Sequence, residues 1–167
     1  GLEQKYIKEA FDTNWVVPLG PNVNAFEEDL KLFHGNEKEV VALCSGTAAI
    51  HMALIACGVQ AGDEVCVQSF TFCASSHPIT YLGATPVFID SEKDTWNMDP
   101  DLLEQAIEDR IAKTGKKPKA IIPVALYGMP YDCERIMAVA QKYDIPVIED
   151  AAEGFGSCYK SQMLGTF

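Results

Sequence analysis

Positive charge is scarce in this sequence. Its 167 residues include 13 lysines and arginines against 24 aspartates and glutamates, which gives a formal net charge of −11. Proteins bind nucleic acids and anionic membrane surfaces mainly through positive surface charge. The composition therefore argues against both as main partners of this chain.

Patterns for secretion, membrane insertion and metal binding are also missing. We find no signal-peptide pattern and no apolar run of about 18 residues. None of the six cysteines forms a C-x-x-C pair, and the three histidines, His34, His51 and His77, lack metal-ligand spacing. We therefore expect reduced cysteines, a cytoplasmic location and no metal site.

Short apolar segments alternate with helical patterns over most of the chain. The predicted strands are Val40–Leu43, Val65–Gln68, Pro86–Ile89, Ala120–Val124 and Pro146–Glu149. The predicted helices are Leu2–Asp12, Ala25–Phe33, Ala48–Cys57, Phe72–Leu82, Pro100–Ala112 and Cys133–Tyr143, and Pro78 is expected to kink its helix or mark the true start. This order predicts an α/β fold of three layers, with a mostly parallel sheet between helices.

The order of these segments also predicts where a ligand would bind. Residues 1–36 are expected to form N-terminal helices with an extended loop between them, and residues 37–167 an α/β domain. All loops that follow parallel strands arrive at one edge of the sheet, and ligands bind at that carboxyl edge. The residues with the most chemical content fall in those loops.

One such loop is Ser45-Gly46-Thr47, which follows a predicted strand and opens a helix. Glycine lets the backbone approach an anion, the first N–H groups of a helix are unpaired, and the Thr47 hydroxyl adds a donor. The loop is a candidate cradle for one phosphate. A simpler interpretation is that Ser45 only caps the helix. No second glycine or P-loop lysine follows, so a nucleoside triphosphate is not expected.

Three further residues at this edge suggest a planar, cationic ligand. Asp150 ends a buried strand, where an acid is costly unless it meets a cation such as a protonated pyridine nitrogen. Glu153 is placed to hydrogen-bond a phenolic oxygen of the same ring, and Phe72 to stack on it. The alternatives are a helix-capping Asp150 and an ordinary core phenylalanine.

With these residues in view, the chain resembles the DegT/DnrJ/StrS family of sugar aminotransferases, which have the aspartate-aminotransferase fold, fold type I. The resemblance covers nearly the whole chain in collinear order. The matching segments are Gly20-Pro21 with Phe26-Glu27, Cys44 to Leu54, Gly62 to Val65, Thr71-Phe72, Gly83 to Phe88, Asn97 to Pro100, Ile122 to Val124 with Tyr127-Gly128, Ile148 to Glu153, Tyr159-Lys160 and Gly165-Thr166.

The resemblance implies pyridoxal phosphate (PLP) as the cofactor and gives each candidate residue a role. Gly46 and Thr47 match the positions that hold the phosphate, and Phe72 matches the aromatic stacked on the ring. Asp150 matches the acid on the ring nitrogen, and Glu153 a position that touches the ring hydroxyl. The implied reaction transfers an amino group, with glutamate as donor, to a nucleotide-linked keto-sugar in surface-polysaccharide or glycan precursor synthesis. The implied assembly is a homodimer.

The resemblance also implies a Schiff-base lysine, and no lysine in this sequence matches that position. Lys160 lies in a Tyr-Lys turn. We therefore expect a truncated large domain, without the small C-terminal domain and inactive by itself. Three alternatives stay open: a sugar 3-dehydratase of the same family, in which histidine replaces the lysine; a non-catalytic binding fragment; and an unrelated doubly wound domain of flavodoxin type.

Overall fold

A computed structural model describes residues 1–35 and 38–167, and it contains two compact units, Gly1–Leu43 and Cys44–Phe167. The predicted domain boundary between residues 36 and 37 lies outside the described residues. In the first unit, helix α1 spans Glu3–Asp12 and helix α2 spans Pro21–Phe33. Helix α2 begins four residues before the predicted Ala25, because proline suits the first turn of a helix, where its missing N–H has no acceptor.

The prediction of a strand at Val40–Leu43 is wrong. In the part of the chain that the structure describes, this segment has no regular secondary structure and pairs with no strand. The backbone N–H of Ala42 instead donates to the Glu27 carboxylate at 2.7 Å. Val41 is 75% exposed. A β-favouring composition makes a strand only where a neighbouring strand supplies hydrogen bonds and packing.

The second unit contains the predicted parallel sheet. Its strands are β1 (Glu64–Gln68), β2 (Thr85–Ile89) and β3 (Ala120–Ile122), in the order β2-β1-β3. Both neighbouring pairs are parallel. The sheet confirms the predicted α/β class, and β1 and β2 each begin one residue before their predicted first residue.

The predicted strand Pro146–Glu149 is replaced by two isolated parallel bridges, Ile121↔Val147 and Val124↔Asp150. The Ile148 N–H donates to the Ile121 carbonyl at 2.9 Å, and the Asp150 N–H donates to the Pro123 carbonyl at 3.0 Å. Pro123 has no N–H with which to complete the ladder between these two bonds. The same proline ends β3 at Ile122, two residues before the predicted end.

Helices cover both faces of the sheet. Side chains alternate along β1: Val65 and Val67 face one core, and Cys66 faces the other. The helices are α3 (Gly46–Ala56), α4 (His77–Tyr81), α5 (Pro100–Thr114) and α6 (Cys133–Tyr143). Helix α3 contributes to the core of Val65 and Val67, and α5 and α6 contribute to the core of Cys66. This arrangement is the predicted three-layer architecture.

One predicted helix is divided in two. Instead of a single helix over Phe72–Leu82, a 3₁₀ turn at Cys73–Ser75 precedes the short helix α4, in which Pro78 is the second residue. Pro78 therefore lies at the start of the helix and not at a kink, as proline geometry favours. The 3₁₀ turn is important for the site, because it presents the residues that follow β1.

The chain closes with a small hairpin of β4 (Cys158–Tyr159) and β5 (Gln162–Met163), paired antiparallel. Its two turn residues, Lys160 and Ser161, both have positive φ, at 46° and 71°. Two left-handed residues match the twist of a two-residue hairpin. The sequence predicted the turn but not the strands. Across residues 1–35 and 38–167, none of the helices has the length and apolar character to cross a membrane.

Candidate cofactor site

The first turn of α3 offers unpaired backbone donors. The Ser45 hydroxyl caps the helix by accepting the Ala48 N–H at 3.1 Å. Within the described residues, the N–H groups of Gly46 and Thr47 donate no hydrogen bond. A Cβ built on Gly46 would meet no atom within 4 Å. The capping role of Ser45 and the proposed anion cradle therefore coexist at one helix start.

Asp150 lies at the end of its bridged segment and is held by a buried serine. The Ser75 hydroxyl donates to Asp150 Oδ2 at 2.7 Å, and the hydroxyls of Ser75 and Thr71 are 2.8 Å apart. The other carboxylate oxygen of Asp150 accepts the Ala152 N–H at 3.2 Å. Sequence reasoning missed Ser75 because two adjacent serines follow Ala74, and the pattern alone does not say which one points inward.

Phe72 stands immediately before the 3₁₀ turn that carries Ser75, and its side chain is 74% exposed. A phenylalanine this exposed is not a core residue, so the alternative interpretation of Phe72 is wrong. An aromatic face of this kind at a ligand-binding edge is available for stacking on a planar ring.

Glu153 has a different partner from the one that the resemblance implies. One of its carboxylate oxygens accepts the backbone N–H of Tyr127, which has a positive φ of 53°. The Ser157 hydroxyl donates to the Gly128 carbonyl at 2.8 Å across the same two loops. The loop of residues 150–157 is thereby tied to the loop that follows β3.

Two buried side-chain amides connect the segment that follows β2 to β1 and to the loop that follows β3, and sequence reasoning missed both. Gln68 at the end of β1 accepts the Met98 N–H at 2.9 Å through its Oε1. The Asn97 amide donates to the Met129 carbonyl at 2.8 Å and accepts the Leu126 N–H at 3.1 Å. Both side chains are fully buried, so each bond replaces water that the backbone groups have lost. For Gln68 the only sequence signal was a polar residue at the end of an apolar strand.

Aromatic side chains also gather beside the carboxyl ends of β1 and β2. The Phe70 ring packs edge-on against Trp96 and Tyr127, with ring centroids 6.2 and 6.4 Å apart. Trp96 and Tyr127 both have left-handed backbones. A cavity of about 370 Å³ opens here, lined by Phe70, Asp90, Ser91, Glu92, Lys93 and Trp96. The edge of the sheet therefore has apolar surface beside its polar groups.

Three titratable side chains lie deeper, where Glu149 approaches Tyr131 and Cys133. Burial raises the pKa of the Cys133 thiol to about 12, and the Glu149 carboxylate acts in the same direction. Burial also raises the pKa of the Tyr131 phenol, again with Glu149 adding to the effect. The thiol and the phenol thus keep their protons near neutral pH, as expected of core groups.

The structure brings some of the predicted site residues together and connects others only indirectly. Asp150 contacts the 3₁₀ turn that follows Phe72, and α3, which begins with Gly46 and Thr47, packs against the same turn. Glu153 lies in the loop that Asp150 begins. Among the described residues, no lysine pairs with Asp150, and Lys160 instead binds Glu134 at 2.7 Å.

These residues fit a phosphorylated pyridine. The fit rests on two observations: free N–H groups beside open space at the start of α3, and a carboxylate that hydrogen bonds orient at the end of a strand. The first suits a phosphate and the second a protonated ring nitrogen.

Comparison with known proteins gives consistent matches over this whole region. The model of the DegT/DnrJ/EryC1/StrS aminotransferase family matches residues 1–167. The chain is 53% identical over 167 residues to EpsN of Bacillus subtilis, whose name describes a pyridoxal phosphate-dependent aminotransferase, covering all of this chain and 42% of EpsN. It is 42% identical over 168 residues to the GDP-perosamine synthase of Escherichia coli O157:H7, covering all of this chain and 44% of that enzyme.

The fold also matches a solved structure of the same family. The DegT DnrJ EryC1 StrS aminotransferase from Brucella abortus superimposes with a TM-score of 0.91 at 37% identity, covering 97% of this chain and 43% of that one. The chain therefore spans about two fifths of the length of the relatives that it matches.

Proposed function

Because this chain belongs to the DegT/DnrJ/EryC1/StrS aminotransferase family, we propose that it forms the cofactor-recognition part of a PLP-dependent aminotransferase that acts on a nucleotide-linked keto-sugar. The observation that carries the proposal is the Asp150 carboxylate, which accepts a 2.7 Å hydrogen bond from Ser75 in the turn that follows exposed Phe72. The names of EpsN and of GDP-perosamine synthase support the cofactor and the substrate class.

Asp150 is the residue proposed to face the ring nitrogen. A carboxylate there keeps a proton on the nitrogen by charge and hydrogen bonding. When bound, PLP supplies the electron sink that amino-group transfer requires. The contribution of this chain is to orient the carboxylate, since both of its oxygens already accept a hydrogen bond from the protein.

Gly46 and Thr47 are proposed to hold the phosphate. Their free N–H groups lie at the positive end of the α3 dipole, and the Thr47 hydroxyl adds a donor. The missing side chain of Gly46 leaves room for an anion to approach the backbone. Phe72 is proposed to cover one face of the ring, which orients it and excludes water.

Glu153 is proposed to bind the ring hydroxyl. One of its oxygens accepts the Tyr127 N–H, which fixes the side chain, and the other is available to a ligand. The position of the Glu153 carboxylate would then depend on the conformation of the loop that follows β3, which contains Tyr127.

Several parts of the proposal rest on the resemblance alone. They are glutamate as amino donor, a role in surface-polysaccharide or glycan precursor synthesis, and a homodimer. A cytoplasmic location and the division into residues 1–36, which would contain an active-site loop, and residues 37–167 are proposed from the sequence patterns described above. The Schiff-base lysine would lie outside this chain. Sugar dehydration is not favoured, because the relatives described above are named as aminotransferases or as an amino-sugar synthase.

The test measures PLP binding to the complete protein from the change in absorption of the cofactor. The affinity of the wild type is compared with that of the variant Asp150→Ala and of the control Asp94→Ala. Asp94 is exposed and its carboxylate bonds to no other group in the described residues. We expect Asp150→Ala to weaken binding about 10- to 100-fold, the range for a lost hydrogen bond to a charged group. Adding glutamate to the wild-type protein should convert bound PLP to the pyridoxamine form.

Equal PLP affinity in wild type and Asp150→Ala would refute the assigned role of Asp150. Failure of glutamate to convert the cofactor, with PLP bound normally, would refute glutamate as the donor and leave the cofactor site intact.

A further inference from the structure

We infer that Ser75, with Thr71 behind it, is a positioning residue that sets the orientation of the Asp150 carboxylate toward the cofactor. This inference rests on the proposed function, because it gives Asp150 a ring nitrogen to face. Ser75 and Asp150 are 75 positions apart in sequence, but Ser75 Oγ lies only 2.7 Å from Asp150 Oδ2.

The hydrogen bonds among these groups have one direction. A serine hydroxyl carries a single hydrogen, and Ser75 uses it to donate to Asp150. The Thr71 hydroxyl, 2.8 Å from Ser75 Oγ, must therefore be the donor in that pair. The result is a relay from Thr71 to Ser75 to Asp150, in which each bond polarises the next.

The relay acts on a carboxylate that is also held from its own chain. Asp150 Oδ1 accepts the Ala152 N–H at 3.2 Å, so donors on two sides oppose rotation of the group. Each carboxylate oxygen has a second lone pair, which leaves acceptor capacity for a ring N–H. The protein thus fixes the plane of the acid before the ligand arrives, which lowers the entropic cost of binding.

Ser75 is buried, so its hydroxyl bonds to Asp150 and not to solvent water. Ser75 is 1% exposed, whereas the neighbouring Ser76 is partly exposed and donates to the Cys73 carbonyl at 3.3 Å. Loss of the Ser75 hydroxyl would leave Thr71 and Asp150 without their shared partner and add no new bond. Ser76→Ala is therefore a matched control in the same turn.

The experiment measures binding of pyridoxamine 5′-phosphate to the complete protein by calorimetry, since this ligand needs no covalent link to a lysine. We expect Ser75→Ala to weaken binding about ten-fold and Thr71→Val about three-fold, the range for lost hydrogen bonds to charged and neutral groups. Ser75→Thr, which keeps a hydroxyl, should retain most of the affinity, and Ser76→Ala all of it.

A second readout separates positioning from a merely structural role. The ¹⁵N chemical shift of the ring nitrogen in labelled pyridoxamine phosphate reports its protonation, and we expect Ser75→Ala to move this shift while Ser76→Ala leaves it unchanged. In a double-mutant cycle, Ser75→Ala should cost nothing further once Asp150→Ala is present, because Ser75 acts only through that residue.

Several outcomes would contradict the inference. If Asp150→Ala weakens binding but Ser75→Ala and Thr71→Val do not, the relay has no role and the proposed function stands. If Asp150→Ala itself has no effect, the proposed function fails instead. Additive effects of Ser75→Ala and Asp150→Ala, or equal losses for Ser75→Ala and Ser76→Ala, would make Ser75 a structural residue only.

Discussion

Gly154 is the position where adding one methyl group should do most damage to the loop that carries the site. It is buried, and a Cβ built on it would lie 2.7 Å from Ala125 Cβ and 2.8 Å from Leu164 Cδ1. Carbon atoms pack best at about 3.5–4.0 Å, so the overlap is roughly 1 Å on two sides. The Gly154→Ala substitution therefore requires backbone or core movement.

The size of the effect follows from what surrounds the methyl group. Ala125 and Leu164 are themselves buried, so neither has free space into which to retreat. Overpacking a closed site of this kind costs about 1–3 kcal/mol. We expect Gly154→Ala to lower the free energy of unfolding by about 2 kcal/mol, and to weaken PLP binding because Glu153 and Asp150 lie in the same loop.

The assay is urea unfolding of the complete protein, with Gly46→Ala as the matched control. A Cβ on Gly46 would meet no atom within 4 Å, so the control should keep the stability of the wild type. It should nevertheless lose PLP affinity, because its methyl group would occupy the space beside the free N–H groups. The two substitutions are chemically identical, and their effects on stability should differ.

The double variant Gly154→Ala with Ala125→Gly removes one of the two overlapping carbon atoms. Part of the lost stability should return. The reasoning is wrong if Gly154→Ala is as stable as the wild type, or if it and Gly46→Ala lose stability equally.

Three further predictions concern the core and the surface. Gln68→Leu should cost about 2–4 kcal/mol in urea unfolding, because two buried N–H groups lose their acceptor, while exposed Gln60→Leu should cost little. The hydrogen bond from Lys142 lowers the pKa of Glu104, so this pair stabilises the fold above about pH 4.5, and its contribution is lost as pH falls through the folded-state pKa. The Glu104→Gln variant should therefore show a weaker dependence of unfolding free energy on acid pH. An unchanged dependence would contradict the pairing. A thiol reagent at pH 8 should modify the exposed cysteines quickly and the buried ones, whose pKa values are raised to about 12, only after unfolding. The exposed cysteines are Cys44, Cys73 and Cys158, and the buried ones are Cys66 and Cys133.

Local chemistry was enough to predict many elements of the fold. Helix α6 spans the predicted Cys133–Tyr143, with Asp132 capping it through the Arg135 N–H. Asp99 caps α5 as expected, with Pro100 at the first helical position. Capping residues, prolines and apolar spacing act over a few residues, so a single sequence contains all that determines them.

Two of the predicted strands were harder to predict, because a strand depends on its neighbours. Val40–Leu43 has suitable residues but, within the described residues, pairs with no strand. Pro146–Glu149 has a neighbour, but Pro123 in that neighbour interrupts the ladder. In both cases the deciding group lies outside the segment itself.

The amino-acid order alone establishes an α/β protein with chemically distinctive residues after its strands, and its collinear motifs are sufficient to indicate the family. How those residues are held depends on the tertiary structure. The contact between Ser75 and Asp150, the amide bonds of Gln68 and Asn97, and the closeness of Gly154 to Ala125 all join distant parts of the chain. Such contacts depend on how whole elements pack, and local patterns do not contain that information.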